Sequence, residues 1–422
     1  MTDEFATAKK ATKTEIAILR LIHATPNISR VELAERSGLS TAAITGIVNA
    51  LVARGLLVEE HGAAKGVGRK RVGLTMVPTL AYVAGIDLGT VNLRICITNF
   101  SGEILIAREV PSLMSKGRED VLARLFALLR EMLQTAAIDP GLLRGIGIGF
   151  SGVIDVDRGM VLSYPRPGQL EQWKNVPLRQ RIEQEFGVPV LLEDSVRAVA
   201  TMEKFLGAGR SFANFVYVDV GVGIGAAIFI GGSLYRGHGG SAGEFGHITV
   251  DEEGPLCCCG SSGCLEAVAS GATMIESMKI ALRRGVSSKI TEREDFDLEN
   301  ITIEMIAAAI EKNDSLSYRI LTEAAAHIGA AAADLVNLLN PAALIFGGAV
   351  SRAVPGLLIE RIRATIRHRA LEKSANDVQI QASILEGNAG ARGAAHLIAA
   401  SLIEQIYFDI ARCRTVVTAS TA

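Results

Sequence analysis

The 422-residue sequence predicts an α/β body of two lobes preceded by a small, mainly helical head. Three observations carry this. From Tyr82 onward, strand-like and helix-like segments alternate, the pattern of a layered α/β protein. Roughly 340 residues in that pattern exceed what one compact core holds, so two lobes with a cleft between them follow. The first 80 residues differ in charge: 11 Lys and Arg against 7 Asp and Glu, a net of +4, while the remainder has 32 against 38, a net of −6. The overall charge of −2 excludes a uniformly basic nucleic-acid coat, but a basic head on an acidic body suits a head that meets a polyanion.

In the head, Ile18, Leu19 and Ile22 line one face of a first helix that ends before Pro26. Ser29-Arg30-Val31-Glu32 is a capping box, in which the Ser hydroxyl and Glu carboxylate satisfy amide donors at the start of a second helix. That helix stops at Gly38. Ser40 caps a third, whose Ile44, Ile47, Val48 and Leu51 share one face and which stops at Gly55. Two short helices around a Gly-containing turn are a helix-turn-helix. Leu56-Leu57-Val58 and Arg71-Val72-Gly73-Leu74 pair as two strands around a Gly- and Lys/Arg-rich loop at 61–70, a wing, and Pro78 marks the boundary.

The second helix of such a unit lies in the major groove. Opposite its apolar stripe stand Thr41, Ala42, Thr45 and Asn49, whose hydroxyls, methyl and amide suit base edges and phosphates. Arg69, Lys70 and Arg71 give the wing three cations for a narrow minor groove. A helical protein-interaction module with a solvated basic loop is the alternative.

In the body, strands are expected near 82–87, 92–99, 103–110, 145–150 and 188–192, with helices at about 118–136 and 176–186. A second set has strands at 214–220, 224–230, 342–346 and 377–384, helices between 264 and 339 and near 354–369, and an Ala-rich last helix from about 388 to 410. The expected division is a head at 1–80, a first lobe from 81–193 with 387–422, and a second lobe at 194–386. No apolar run approaches the ~20 residues that cross a bilayer, and MTDEFATAKK lacks the apolar core of a signal peptide. Six cysteines, four of them within 257–264, do not form a secreted disulfide framework, so a cytoplasmic setting is expected.

Those four cysteines belong to the strongest local signal. His247, Cys257, Cys259 and Cys264 offer three thiolates and an imidazole, a closed tetrahedral shell suited to about one structural zinc per chain. Gly260 and Gly263 let the backbone turn tightly enough to gather the sulfurs, and Cys258, one residue out of phase, should point away. Buried or redox-active thiols are the competing reading. Cys96 and Cys413 are isolated and suit packing.

With these residues in place, the chain resembles the ROK family (repressors, open reading frames, kinases), in particular its transcriptional regulators. The resemblance rests on Gly243-Glu244-Phe245-Gly246-His247, the cysteine cluster and Gly263-Cys264-Leu265-Glu266. Asp87-Leu88-Gly89-Thr90, Gly223-Ile224-Gly225, Asn337-Leu338-Leu339-Asn340-Pro341 and Phe346-Gly347-Gly348 add to it. It implies a two-lobed actin/hexokinase-like (ribonuclease H-like) body behind a winged helix-turn-helix, with the last helix returning to the first lobe. It also implies a sugar site built from Gly152, Glu193, Asp194, Glu244, His247 and Glu266. Asp194 matches the general base of the family's sugar kinases, and Glu193 replaces the Asn that usually precedes it.

The phosphate-cradling turns depart from the kinase pattern. The first reads Asp87-Leu88-Gly89-Thr90-Val91, with Thr90 in place of a Gly and Val91 in place of a Thr. The second reads Gly221-Val222-Gly223-Ile224-Gly225, again losing a hydroxyl, and Ala349 stands where a third Gly follows Gly347-Gly348. Gly-rich turns grip phosphate through unobstructed N–H groups, so these changes point away from phosphoryl transfer. No catalytic residue is therefore expected. The expectation is a sugar-responsive DNA-binding regulator, a repressor of carbohydrate-utilisation genes released by a monosaccharide between the lobes. Its partners are a double-stranded operator, the sugar and a second copy of itself, as a homodimer or dimer of dimers, with no membrane. An active kinase with an appended head, and a regulator controlled by a protein partner, remain as alternatives.

Overall fold

The computed structural model describes residues 2–25, 27–61, 72–164 and 171–419. The head comprises α1 (Thr2–His23), α2 (Arg30–Ser37), α3 (Thr41–Ala53) and an antiparallel pair, β1 (Leu57–His61) and β2 (Val72–Met76). Both halves of the capping box at Ser29 and Glu32 are made, and Gly38 ends α2 at φ 69°. Leu19, Leu33, Ile44, Val48 and Leu51 are fully buried, so the three helices share a core. The wing-loop residues Arg69, Lys70 and Arg71, and Pro26, lie outside the described residues.

The first body sheet contains β3 (Tyr82–Leu88), β4 (Asn92–Asn99), β5 (Ile104–Pro111), β6 (Leu143–Phe150) and, beyond the small ribbon β7 (Val153–Asp155) and β8 (Met160–Ser163), β9 (Val190–Asp194). Its order is β5-β4-β3-β6-β9, with β6 and β9 parallel to β3. Helices α4 (Arg118–Thr135) and α5 (Leu178–Phe186) accompany it, and Ile86, Ile95, Leu125 and Ile148 fall in one buried cluster. After β9 comes α6 (Ser195–Phe205).

The second sheet contains β10 (Phe215–Val220), β11 (Ile224–Ile230), β12 (Ser233–Tyr235), β13 (Ala343–Gly347) and β14 (Gln379–Ala382). Its order, β12-β11-β10-β13-β14, repeats that of the first: three antiparallel strands, then two parallel additions. Its helices are α7 (Leu265–Ala269), α8 (Gly271–Arg283), α9 (Ile303–Glu311), α10 (Ser315–Leu339), α11 (Gly348–Ala353), α12 (Pro355–Arg369) and α13 (Glu372–Asp377). Leu316, Ile328, Phe346 and Ile362 join the core of this half. The repeated strand order is the actin/hexokinase-like architecture.

The last helix, α14 (Ala389–Ala419), lies across the other face of the first sheet. Its approach is close: a Cβ on Gly147 would stand 1.9 Å from the Ala394 carbonyl oxygen, and one on Gly393 would stand 1.8 Å from that of Ala198. Only glycine lets β6 and α6 meet α14 at that distance. Further along, Ile398, Leu402, Ile403, Ile406 and Tyr407 share one buried cluster with Ile16, Leu19 and Ile22 of α1. The head is thus docked on α14. Glu15 binds Arg54 at 2.8 Å and accepts from Tyr407 Oη at 2.5 Å, and the Arg54 guanidinium lies 4.1 Å from the Tyr407 ring centroid. No helix among the described residues is long and apolar enough to cross a membrane.

Candidate functional site

A cavity of about 720 Å³ opens between the two sheets. Gly152, Asp194, Glu244, His247 and Glu266 all line it. Asp194 ends β9 and caps α6, its Oδ1 accepting from the Arg197 N–H at 3.0 Å. Burial pushes its carboxyl up to about 6, against the pull of Arg197. Glu244 follows Gly243, whose φ of 100° and whose closeness to the Ala226 carbonyl exclude a side chain. Glu266, in the first turn of α7, accepts from the Ile224 N–H at 3.0 Å and so ties its helix to the 221–225 turn.

Glu193 is the exception, and the structure corrects its expected place. It is 0% exposed and is not among the cavity-lining residues. Its carboxylate is engaged by Arg197 at 2.8 Å, by Arg236 Nη2 at 2.7 Å and Nε at 3.0 Å, and by the Asp194 N–H at 3.0 Å. A buried carboxylate needs such partners. Arg236, the partner sequence reading missed, lies 43 residues away with no local pattern to announce it.

His247, Cys257, Cys259 and Cys264 come together, one ligand atom from each lying within 4.8 Å of the others. His247 Nδ1 is 3.6 Å from Cys257 Sγ, and Cys259 Sγ is 3.6 Å from Cys264 Sγ. A tetrahedral sulfur and nitrogen shell with bonds of about 2.0–2.3 Å has edges of about 3.3–3.8 Å, so the cluster fits a metal ion. The Ser261 N–H holds the Cys259 thiol down, to about 7. Cys258 is outside the cluster, its Sγ 3.6 Å from Glu266 Oε1. His247 turns Nδ1 to the sulfurs, while its Nε2 lies 4.0 Å from Glu244 Oε2, so one ring joins cluster and cavity.

Thr90, Val91, Val222 and Ala349, the positions expected from the sequence to depart from the kinase pattern, also line the cavity, as do Asp87 and Asp219. Burial pushes the Asp87 carboxyl up to about 6 despite Arg94, and raises Asp219.

On the head, Thr41, Ala42 and Asn49 are exposed along α3 and Thr45 is half-buried. Thr45 Oγ1 donates to the Thr41 carbonyl at 2.8 Å. Arg30, which sequence reading did not select, donates to Asn49 Oδ1 at 2.8 Å, to the Thr45 carbonyl at 3.2 Å and to Glu59 at 2.7 Å. Its place directly after the Ser29 cap was the available signal.

The ROK family profile matches residues 83–401, and a winged helix-turn-helix DNA-binding profile matches 12–58. The chain is 30% identical over 390 residues to the xylose repressor of Caldicellulosiruptor bescii, covering 92% of this chain and 96% of that one. Among solved structures it is similar to a ROK family transcriptional regulator that is a homologue of the Escherichia coli MLC protein. The TM-score is 0.75 at 29% identity, over 95% of this chain and 98% of that one. It is also similar to a ROK family glucokinase from Streptomyces griseus in complex with glucose and AMPPNP. There the TM-score is 0.65 at 30% identity, over 75% of this chain and 99% of that one.

Proposed function

The chain belongs to the ROK family, and from that premise we propose that its cavity senses a monosaccharide and that sugar binding releases its head from DNA. It is a sugar-responsive DNA-binding repressor; its targets, in this reading, are carbohydrate-utilisation genes. The observation that carries the coupling is α6. Its cap, Asp194, stands in the cavity, and its last residue, Phe205, packs against the head: its ring centroid lies 6.4 Å from that of His23 in α1 and 4.2 Å from that of His396 in α14. Eleven helical residues span about 16 Å, a rigid connection between sensor and reader.

In this reading Asp194 accepts a sugar hydroxyl from one side, while Glu244, His247 and Glu266 meet the sugar from the other. Ligand that touches both sides favours their closer approach, and α6 moves with Asp194. A tenfold loss of operator affinity needs only about 1.4 kcal/mol of differential binding, within reach of a few hydrogen bonds. Zinc is the metal that best suits three thiolates and an imidazole, and with four protein ligands it acts as a rigid anchor without a coordination position for reactive water. His247, held through Nδ1, keeps Nε2 for the sugar. On the head, Thr41, Ala42, Thr45 and Asn49 meet base edges while the wing cations Arg69, Lys70 and Arg71 enter a narrow minor groove, and a dimer reads a pseudo-palindromic operator.

The departures at Thr90, Val91, Val222 and Ala349 support a sensor rather than a kinase. Operator duplexes selected from a random pool, titrated with the protein and a panel of pentoses, hexoses and amino sugars, test the reading, with ADP formation followed in parallel. One sugar is expected to weaken operator binding at least tenfold without sustained ADP production. Sugar-dependent ADP production lost in Asp194→Asn would favour the kinase instead.

A further inference from the structure

We propose that Glu193 is a positioning residue that holds the 236–244 segment of the second lobe against the end of β9, and so sets where Glu244 stands relative to Asp194 before any sugar arrives. This rests on the sugar reading of the cavity. The tie crosses the lobes: Glu193 belongs to β9, an outer strand of the first sheet, and Arg236 directly follows β12, an outer strand of the second. Arg197, on α6, binds the same carboxylate at 2.8 Å and also donates to the Gly240 carbonyl. The segment is therefore gripped at Arg236 and at Gly240, and is closed on itself by the Ala242 N–H donating to the Arg236 carbonyl at 3.1 Å.

The segment needs such a grip. It contains no helix or strand between Tyr235 and Phe245, and its Gly237, Gly240 and Gly243 take φ of 72°, 79° and 100°. Three glycines in the left-handed region give a chain with many alternatives to this path, so its position comes from outside. Glu193 supplies that position from 0% exposure, where an ion pair with several donors is weakly screened and geometrically demanding. The residue that resemblance placed on the sugar has become a strut behind the residues that line the cavity.

Arg236 is the place to test this, because its side chain is 40% exposed, whereas Glu193→Ala strands the 5%-exposed Arg197. Amide hydrogen exchange in the sugar-free protein reads the tie directly, and calorimetry with D-xylose and D-glucose reads its consequence. In Arg236→Ala, exchange at 237–244 should accelerate at least about tenfold while that at 257–264 stays unchanged. The Kd of whichever sugar the parent protein binds should rise about tenfold, with sugar-free operator affinity within about twofold of the parent. Arg236→Lys should recover part of both effects, a rescue that a purely structural role would not give. Exchange within about twofold of the parent in Arg236→Ala overturns the inference, as does faster exchange with unchanged sugar affinity. Faster exchange in Arg236→Ala, where the parent binds no sugar of the pentose, hexose and amino-sugar panel, supports the tie and counts against the sugar reading.

Discussion

His23, the last residue of α1, stacks on His396 of α14 with ring centroids 4.2 Å apart and planes 10° from parallel. The pair lies at the junction of head and body, with Phe205 of α6 against both rings and Arg392 lining the same small cavity. Burial lowers His23 to about 4, and burial together with His23 lowers His396 well below the usual imidazole range.

Both rings are therefore neutral in the folded protein at pH 7, and protonating either one opposes docking. Above pH 6.5 their contribution is complete; as the pH falls from 6.5 toward 4 the unfolded chain takes up protons that the folded chain refuses, and stability is lost. Asp87 and Asp194, raised to about 6, act oppositely: they favour the folded state as the pH falls below 6 toward the ordinary carboxylate range. Comparison with His23→Gln isolates the histidine effect. Between pH 7 and about 4.5, the parent protein should lose more thermal stability than the variant. Equal losses would contradict the assignment.

In the proposed coupling Phe205 relays movement of α6 to the head, so shortening it should separate sensing from release. In Phe205→Leu, sugar affinity should stay within about twofold of the parent, while sugar-induced operator release shrinks from about tenfold to about twofold. Calorimetry and operator titration measured side by side check this. Full release in the variant would remove α6 from the coupling path.

Cys264→Ser should lower the metal content from about one zinc per chain to near zero, because a closed four-ligand site binds weakly through three. His247 belongs to that site and Glu244 and Glu266 stand beside it, so sugar binding should fall with the metal while sugar-free operator binding persists. Elemental analysis with calorimetry checks both. Normal sugar affinity in a metal-free variant would separate cluster from cavity.

The double variant Arg69→Ala with Arg71→Ala should weaken operator binding and reduce the slope of log K against log salt by about 1–2, because fewer counterions are released from the DNA. Asn49→Ala should relax preference at one base pair, with a cost of about 1–3 kcal/mol. Arg30→Ala should do so less, since it acts through the orientation of Asn49 at 2.8 Å. Quantitative gel-shift across salt concentrations and base substitutions checks all three.

What could be read from the sequence was local. The capping box at Ser29 and Glu32, the apolar stripe of α3 and the cysteine spacing each fall within a few turns of chain, where periodicity and ligand chemistry speak directly. The cavity residues Gly152, Asp194, Glu244, His247 and Glu266 were reached through family motifs. Contacts between distant segments carried no such signal. The resemblance places Glu193 on the sugar, and nothing periodic in the sequence announces Arg236, its partner in the fold. The docking of the head on α14 was missed because that helix is Ala-rich along much of its length: its first part meets β3 and β6, and its later part meets α1, so no single apolar stripe marks it. His23 and His396, 373 residues apart, were silent for the same reason.

In the proposed reading sugar in the cavity controls DNA binding by the head, and Glu244→Ala is the sharpest probe of that control. Glu244 is exposed at the cavity wall and is not one of the four clustered metal ligands, so its removal should leave the fold and metal intact. Operator affinity is measured for the parent and the variant with and without the effective sugar, alongside zinc content. Expected are equal sugar-free affinities, equal zinc, and release of at least about tenfold in the parent against less than about twofold in the variant. Undiminished release from Glu244→Ala at the same sugar concentration would contradict that reading.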